Sequence, residues 1–322
     1  MTTSQASDTS SASPSTTGQA SSVRPPVVPT SGLLLLAALT LIWGCNWPFM
    51  KIALSEISVL WFRTTCVVFG GVLLLLMSKL TGGRLTLPLR QVPALLLCAL
   101  FGIVGWHLFT GYSLSQMPAG RAAIIAYLMP VFASILSVYI LGERLYASKV
   151  LGLIVGMTGL GALIGPDLWV IQTAPVGALL MVGAATSWAA GTVLYKKFKW
   201  GAPTATVIGW QLLAAAIPIA TCAISFEPFP DIKSISAHVW AALAYVVFVP
   251  MVFGQWAYYR IVNMMPASVA AISTLAIPAV GVYSSSLLLG EPIGWREISA
   301  LALISIALSV VLFVPAILAR RT

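Results

Sequence analysis

The chain contains the segment MPAGRAAIIAYLMPVFASILSVYILGE at residues 117–143 and repeats it as MPASVAAISTLAIPAVGVYSSSLLLGE at residues 265–291. Of the 27 aligned positions, 11 are identical, and they include the internal proline and the final Gly-Glu pair. An internal repeat constrains the whole architecture, because each copy is expected to form the same structural unit. We therefore interpret the chain as two related structural units, each of which contains one copy of this segment.

The composition indicates that these units lie in a membrane. Hydrophobic residues make up 59% of the 322 residues and charged residues only 8%, whereas a soluble domain carries about 25% charged residues. The net charge is +9, but the basic residues flank apolar runs and form no patch, so we expect no nucleic-acid partner. The four cysteines lie inside apolar runs without a CxxC pair, which favours packing over disulfides or metal binding.

Ten apolar runs are long enough, at about 20 residues each, to cross a bilayer as helices. The predicted fold class is an all-α membrane protein with ten transmembrane helices. The predicted spans are 33–53, 57–78, 92–113, 119–141, 147–165, 175–195, 204–225, 238–259, 268–289 and 296–317.

Basic residues orient these spans. With a cytoplasmic N-terminus, 12 of the 17 Lys and Arg residues flank the spans on the cytoplasmic side and 5 on the other side. Positive charge accumulates in cytoplasmic loops, so both termini are predicted to be cytoplasmic. Five spans per unit is an odd number, so the second unit must enter the membrane from the opposite face. Two inverted repeats that enclose a site near the midplane are typical of secondary transporters.

The two units and the N-terminal segment divide the chain into three parts. Residues 1–22 hold 13 Ser or Thr and no large apolar side chain, a composition that cannot form a core. We predict a disordered Ser/Thr-rich cytoplasmic tail at residues 1–30. The first five-helix repeat is predicted at residues 31–166 and the second at residues 174–318.

Two motifs resemble a known family. WGCNWPFMKIAL at residues 43–54 and PAGRAAIIAYLMPVFASILSVYILGERL at residues 118–145 are similar to the first-helix and fourth-helix motifs of the EamA family in the drug/metabolite transporter superfamily. The resemblance covers about residues 33–318. It implies secondary transport in the bacterial inner membrane, usually export of amino acids or other small metabolites. Trp47 departs from the pattern, because family members often carry a smaller aromatic residue there.

The predicted function is export of amino acids or related small metabolites by alternating access through a cavity between the repeats. We expect no enzyme activity, cofactor or metal, since the spans contain no P-loop, HExxH motif or carboxylate at mid-span. The expected partners are a small-molecule substrate and the lipid bilayer, and the protein is expected to be a monomer or homodimer. The alternatives are an uptake carrier for a vitamin or nucleotide-like metabolite, an intramembrane lipid-modifying enzyme, and a structural or sensing protein.

Polar and aromatic residues inside the spans are the candidate substrate contacts. Asn46 either binds substrate or bonds to a neighbouring helix, because an amide in hydrocarbon needs a partner. Trp43 and Trp188 lie at similar places in the two halves and are predicted to form a stacking surface, whereas the other tryptophans are assigned to packing or the interfacial belt. Such a cavity would suit aromatic substrates. Further polar contacts are expected from Tyr127, Gln211 and Gln255.

Three ionisable residues need separate treatment. His107 could relay protons, although a lone histidine more often bonds across helices. Because the spans lack Asp or Glu at mid-span, ion coupling would have to use His107 or be absent, which favours facilitated or weakly coupled export. Lys51 falls within the family motif and is a candidate contact for a substrate carboxylate. Arg63 is expected to extend along its helix to the outer surface.

Prolines and glycines within the spans are the candidate hinges. Proline removes a helical hydrogen bond and bends the helix, and glycine permits close helix contacts as well as backbone motion. The predicted hinge or gating residues are Pro48, Pro130, Pro278, Gly105 and Gly254. Glu143 is expected to fix a helix end or a gate and to pair with Arg144 or Lys149.

Overall fold

The structure, a computed structural model, describes residues 29–114, 116, 125–164, 175–289 and 295–312. Within these ranges it contains helices and no strands. Six helical segments are long and apolar enough to cross a membrane, and three shorter apolar helices accompany them. The six are Thr30–Met50, Val59–Leu80, Leu89–Ser113, Pro175–Lys197, Thr204–Phe226 and Ala237–Met264. The tail predicted at residues 1–30 lies outside the described residues except for its last two positions.

The described helices follow the predicted apolar runs closely. In the first half they are α1 (Thr30–Ala53), α2 (Val59–Leu80), α3 (Val92–Ala99), α4 (Trp106–Leu114), α5 (Met129–Leu141) and α6 (Ala147–Ile164). In the second half they are α7 (Pro175–Lys197), α8 (Thr204–Phe226), α9 (Ala237–Val246), α10 (Gln255–Met264), α11 (Ala267–Ser273), α12 (Ile277–Leu289) and α13 (Trp295–Leu312). The predicted start of the fourth span, at residues 119–124, lies outside the described residues.

Equivalent irregularities interrupt the helices of both halves. A π-helix at Leu100–Gly105 joins α3 to α4, and a second π-helix at Val247–Gly254 joins α9 to α10. A turn precedes α5, and a 3-10 segment at Thr274–Ala276 precedes α12. Departures from α-helix at membrane depth occur where the backbone is enclosed by protein or lines a cavity. The two repeats therefore share the positions at which the α-helices are interrupted as well as the helices themselves.

Helix α2 and its counterpart α8 pack against each other in antiparallel directions. At the N-terminus of α2, the Leu60 amide donates to the Glu227 carboxylate at 2.9 Å, and at its C-terminus the hydroxyls of Ser78 and Thr206 lie 2.6 Å apart. We call the end that holds Glu56, Glu227 and Asp231 the acidic end. The opposite end, where Lys149, Lys196 and Lys199 lie, is the basic end.

The other main contacts obey the same two-fold relation. Helix α1 packs on α12 and its counterpart α7 packs on α5, while α6 packs on α13. Exchanging the two halves maps this set of contacts onto itself. An inverted pair of repeats produces this pattern, with α1, α5, α7 and α12 drawn from both halves to surround the centre of the bundle.

Candidate substrate cavity

A pair of tryptophans and a tyrosine form one wall at the centre of the bundle. The ring centroids of Trp43 and Tyr258 lie 5.3 Å apart, and those of Trp188 and Tyr258 lie 4.9 Å apart. The Tyr258 hydroxyl reaches the Thr192 hydroxyl at 3.1 Å, which satisfies its polar group. Aromatic pairs at these separations attract each other beyond simple burial. The structure thus brings Trp43 and Trp188, from equivalent helices, onto one surface.

The π-helices hold this wall in place through side-chain donors from the facing helices. The indole N–H of Trp43 donates to the carbonyl of Pro250 at 3.3 Å, and the Ser187 hydroxyl donates to the carbonyl of Phe101 at 2.7 Å. Both carbonyls belong to π-helices, whose hydrogen bonding is irregular. Equivalent helices α1 and α7 therefore bind equivalent irregular segments.

Gly105 and Gly254 end the two π-helices, and both are required for close packing. A Cβ on Gly254 would lie 2.5 Å from Nε1 of Trp43, and a Cβ on Gly105 would overlap the Ser187 side chain. The structure gives these two predicted hinge residues a steric role. Their role as hinges remains a prediction.

A cavity with a volume of about 150 Å³ lies against the aromatic wall. This volume is well above the roughly 10–15 Å³ that a cavity needs to hold a single water molecule. Both halves of the chain contribute to the lining, which is apolar with a few polar groups. The lining residues are Trp43, Asn46, Met50, Arg63, Gly102, Trp106, His107, Thr110, Ala126, Tyr127, Met129, Met181, Trp188, Val246, Pro250, Met251, Gln255, Thr274 and Ile277.

Three of the lining residues carry buried polar atoms without a hydrogen-bond partner in the described part of the chain. These atoms are Asn46 Oδ1, Arg63 Nε and His107 Nδ1. The amide nitrogen of Asn46 is used, because it contacts the Met50 sulfur at 3.1 Å. Buried polar groups are normally paired, so an unpaired set around one cavity indicates a binding site for water or a polar ligand.

Most of the predicted contact residues lie on this cavity. Trp43, Asn46, His107, Tyr127, Trp188 and Gln255 line it. Gln211 does not line it. Its side chain is fully buried in α8, and neither amide atom has a partner within the described residues. The side chain of Lys51 lies outside the described residues.

The predicted proline hinges occupy different helix positions. Pro48 lies inside the continuous helix α1. Pro130 lies in the first turn of α5, where its missing N–H removes no helical hydrogen bond. Pro278 takes the same place in α12, although its side chain lies outside the described residues. The two repeated prolines thus start helices after an irregular segment.

The expectation that Arg63 extends to the outer surface is wrong. Its side chain is only 8% exposed and lines the cavity. Helical periodicity contained the signal, because Leu60, Val67 and Leu74 share the buried face of α2 with Arg63. Trp106 also lines the cavity rather than serving only in packing or the belt.

The side of the aromatic wall that faces the basic end is packed with tyrosines. The rings of Tyr258 and Tyr259 lie 5.3 Å apart, and those of Tyr259 and Tyr195 lie 4.4 Å apart. All three side chains are at most 2% exposed. The three tyrosine rings therefore fill space between the aromatic wall and the basic end.

A second contact fastens the basic end. Gly142 ends α5 with a φ of 66°, a conformation that favours glycine and that reverses the chain after a helix. The following Glu143 accepts hydrogen bonds from the Ala267 amide at 2.7 Å and the Ser268 hydroxyl at 2.6 Å, at the N-terminus of α11. Its carboxylate lies 3.6 Å from Nζ of Lys149. The first copy of the Gly-Glu motif, Gly142-Glu143, thus joins the two halves, and the expected pairing of Glu143 with Lys149 is present.

The sequence profile of the EamA-like transporter family matches residues 30–165 and 175–313, which together are most of the chain. The chain belongs to the EamA-like transporter family. Each match to the profile covers one half of this EamA-like transporter. The residues that show its family are therefore the residues that form its helical fold.

Relatives of this EamA-like transporter are themselves described as transporters. The uncharacterized transporter YvbV of Bacillus subtilis is 31% identical over 275 residues, which cover 85% of this chain and 89% of the relative. A probable amino-acid metabolite efflux pump of Salmonella typhimurium is 25% identical over 87% of this chain and 94% of the pump. The aromatic amino acid exporter YddG of Ancylobacter novellus is 33% identical over 130 residues, 39% of this chain and 45% of the exporter.

One crystal structure of a protein superposes with a TM-score of 0.76 at 22% sequence identity. The match covers 90% of this chain and 98% of the other. This similarity shows a shared fold.

Proposed function

We propose that this protein is a secondary transporter that exports amino acids or related small metabolites by alternating access. The observation that carries the proposal is the cavity between the halves, with Trp43 and Trp188 on one wall. A largely apolar pocket with a few convergent polar groups is typical of small-molecule sites. The names of the efflux pump and of the aromatic amino acid exporter support amino acids as the substrate class.

The proposed topology has ten spans, in two inverted repeats at residues 31–166 and 174–318, with both termini in the cytoplasm. The antiparallel packing of α2 and α8 supports the inversion. The concentration of Lys and Arg at the basic end supports a cytoplasmic location for that end. We place the protein in the bacterial inner membrane, because the relatives named above include bacterial transporters.

In the proposed topology, the described conformation is a state closed to the cytoplasm. The tyrosine stack and the Glu143 contacts close the basic end, while Met50 and Arg63 extend the cavity towards the acidic end. In the proposed cycle, the halves rock about the cavity, so that the tyrosine stack parts and the acidic end closes. Substrate enters from the cytoplasm in that second state and leaves in the described one.

The aromatic wall favours substrates with a flat apolar group. Trp43 and Trp188 offer large rigid surfaces on which an aromatic side chain can stack. Among the described lining residues, His107 is the group with an ordinary pKa near neutrality. The predicted spans contain no carboxylate at mid-span that could carry a proton or a sodium ion. We therefore propose facilitated or weakly coupled export.

Counterflow in proteoliposomes tests the function. Vesicles that hold the purified full chain are loaded with a mixture of the twenty amino acids, and the uptake of labelled Trp, Phe, Thr and Cys is measured with and without a pH gradient. We expect exchange of Trp or Phe, with at least a tenfold loss in Trp188→Ala. Trp240→Ala is the matched control, because the Trp240 side chain is 42% exposed and lies outside the cavity.

Two outcomes would change this view. Folded wild-type protein that exchanges none of the amino acids would refute amino acid export. Strong stimulation by the pH gradient, lost in His107→Gln, would refute weak coupling and make His107 the proton site.

A further inference from the structure

Arg63 is a buried cation that lacks a counter-ion within the described part of the chain. Its side chain is 8% exposed, and its Nε has no hydrogen-bond partner. The guanidinium contacts the Phe62 ring, with its central carbon 5.5 Å from the ring centroid. The ion pair between Glu143 and Lys149 lies at the basic end and does not involve Arg63. Arginine keeps its charge under all physiological conditions, so this positive charge is permanent.

No described carboxylate shares the cavity with Arg63. The acidic side chains that the structure places, Glu56, Glu143, Glu227 and Asp231, lie at the ends of the bundle. Two of them are already engaged as caps, since Glu227 accepts from the Leu60 amide and Glu56 from the Ser236 amide. The lining of the cavity is therefore positively charged as far as the described residues extend.

An isolated charge at low dielectric is unfavourable unless a partner of opposite sign compensates it. The cavity is large enough to admit water, which would supply part of that compensation in the absence of substrate. The guanidinium fork matches the two oxygens of a carboxylate, and such charge-assisted pairs are about twice as strong as neutral hydrogen bonds. A carboxylate that replaces this water would thus gain the pairing that the protein does not supply.

We infer that Arg63 binds the carboxylate of the substrate, and that the site selects monocarboxylates with an aromatic or large apolar group. This inference rests on the proposed transport function and names the substrate class of the same cavity. Trp43 and Met50 both line the cavity from α1 and lie seven residues apart, which is roughly 10 Å along a helix axis. Arg63 lies in the second turn of α2, at the acidic end. The carboxylate therefore faces the acidic end, and the side group faces the aromatic wall.

A second orphaned atom fits the rest of an amino acid. Asn46 Oδ1 is a buried acceptor without a partner in the described residues, and an ammonium group supplies donors only. The ammonium group of an amino acid would therefore donate a hydrogen bond to Asn46 Oδ1. An acid without an amino group would still pair with the Arg63 guanidinium. Arg63 is the one cation among the described lining residues, which favours a singly charged anion over a polyphosphate.

Ligand-induced thermal stabilisation of the purified full chain tests this assignment without requiring transport. The ligands share one phenyl group and differ in their charged end: L-phenylalanine, 3-phenylpropionate, phenylethylamine, L-phenylalaninamide and phenylphosphonate. Each dissociation constant follows from the rise in melting temperature with ligand concentration. We expect the two carboxylates to bind about 10- to 100-fold more tightly than the amine and the amide, the range of a charge-assisted hydrogen bond.

Arg63→Gln should abolish this preference, so that acid and amide bind within about threefold of each other. Arg63→Lys keeps the positive charge but lacks the forked guanidinium, so it should retain part of the preference for carboxylates. This variant keeps the test valid if Arg63→Gln does not fold. Arg90→Gln is the matched control, because Arg90 is an exposed arginine outside the cavity. It should bind all five ligands as the wild type does.

The outcomes separate this inference from the proposed function. Carboxylate binding that depends on Arg63, without any amino acid counterflow, would support the inference and refute amino acid export. Counterflow with equal binding of phenylalanine and its amide, or an unchanged preference in folded Arg63→Gln, would overturn the inference alone. Tighter binding of phenylphosphonate than of 3-phenylpropionate would also overturn it, in favour of a phosphate-bearing substrate.

Discussion

Replacing Gly191 by alanine tests a close backbone contact beside the cavity. Gly191 lies in α7 and faces Gly102 in the π-helix that follows α3. A Cβ on Gly191 would overlap the Cα and N atoms of Gly102 and would lie 3.3 Å from the carbonyl carbon of Phe101. Backbone atoms cannot rotate away as a side chain can. The two segments must therefore separate, by a distance on the order of 1 Å, which forfeits a quarter to a half of each dispersion contact between them.

The size of the effect follows from three contributions. Overpacking of a close contact costs about 1–3 kcal/mol. The hydrogen bond from Ser187 to Phe101 crosses the same interface at 2.7 Å, and its loss costs about 1 kcal/mol. Alanine returns up to about 1 kcal/mol through its higher helix propensity. Gly191→Ala should therefore lower the free energy of unfolding by about 1–3 kcal/mol.

Two other glycines provide graded controls. Among the described residues, no heavy atom lies within 4 Å of a Cβ added to Gly161 in α6, so Gly161→Ala should be neutral or stabilising by up to about 1 kcal/mol. An added Cβ on Gly102 would lie 3.3 Å from the Tyr259 hydroxyl and 3.5 Å from Gly191. Gly102→Ala should therefore fall between the other two variants.

The free energy of unfolding can be measured by titration with a denaturing detergent in mixed micelles, with helix content read by circular dichroism. Native-like elution on size exclusion would confirm that each variant starts folded. If Gly191→Ala unfolds at the same detergent fraction as Gly161→Ala or at a higher one, α7 does not contact the π-helix as described, and the geometry of the cavity wall is wrong.

Two further predictions concern carboxylates at the two ends. Glu143→Gln removes the carboxylate partner of the buried Lys149 ammonium, which keeps its hydrogen bonds to the Arg144 carbonyl and the Ser268 hydroxyl. The variant should cost about 3 kcal/mol in unfolding free energy, part of which Lys149→Met should restore in the double variant. An unfolding curve for Glu143→Gln that matches the wild type would contradict the role of this contact. At the acidic end, the backbone N–H and the hydroxyl of Ser236 hold the pKa of Glu56 below its usual value of 4.5. The stability that Glu56 contributes is therefore present above pH 4.5 and is lost as the pH falls through the lowered pKa. Between pH 6 and pH 3, the melting temperature of the wild type should therefore fall by more than that of Glu56→Gln. Equal falls in melting temperature would show that Glu56 contributes nothing.

The long apolar runs were sufficient to predict the helical class, and the repeated segment was sufficient to predict two related units. Trp43 and Trp188 lie outside that segment, and their similar places in the two halves led to the prediction that they form one surface. The sequence did not distinguish Gln255, which lines the cavity, from Gln211, which does not. Spans that are apolar on all faces carry little periodic signal, so only packing shows which face a polar residue occupies.

Arg63 and the π-helices escaped prediction for different reasons. A long basic side chain near a span end can reach the surface along either face, and the choice depended on the packing of α2 against α8. A π-helix depends on the hydrogen-bond pattern of the backbone, which side-chain periodicity does not report. The glycines that end both π-helices, Gly105 and Gly254, were identified from sequence as candidate hinges, although the structure gives them a steric role.

Side chains of different size occupy equivalent positions on the two sides of the cavity. Tyr259 is the fifth residue after Gly254, and Thr110 is the fifth residue after Gly105. Tyr259 fills the space towards the basic end as part of the tyrosine stack, whereas Thr110 donates to the Trp106 carbonyl of its own helix and lines the cavity. In the proposed cycle the basic end would therefore open when the tyrosine rings part. The acidic end has no such ring at Thr110, so its closure requires the helices themselves to approach.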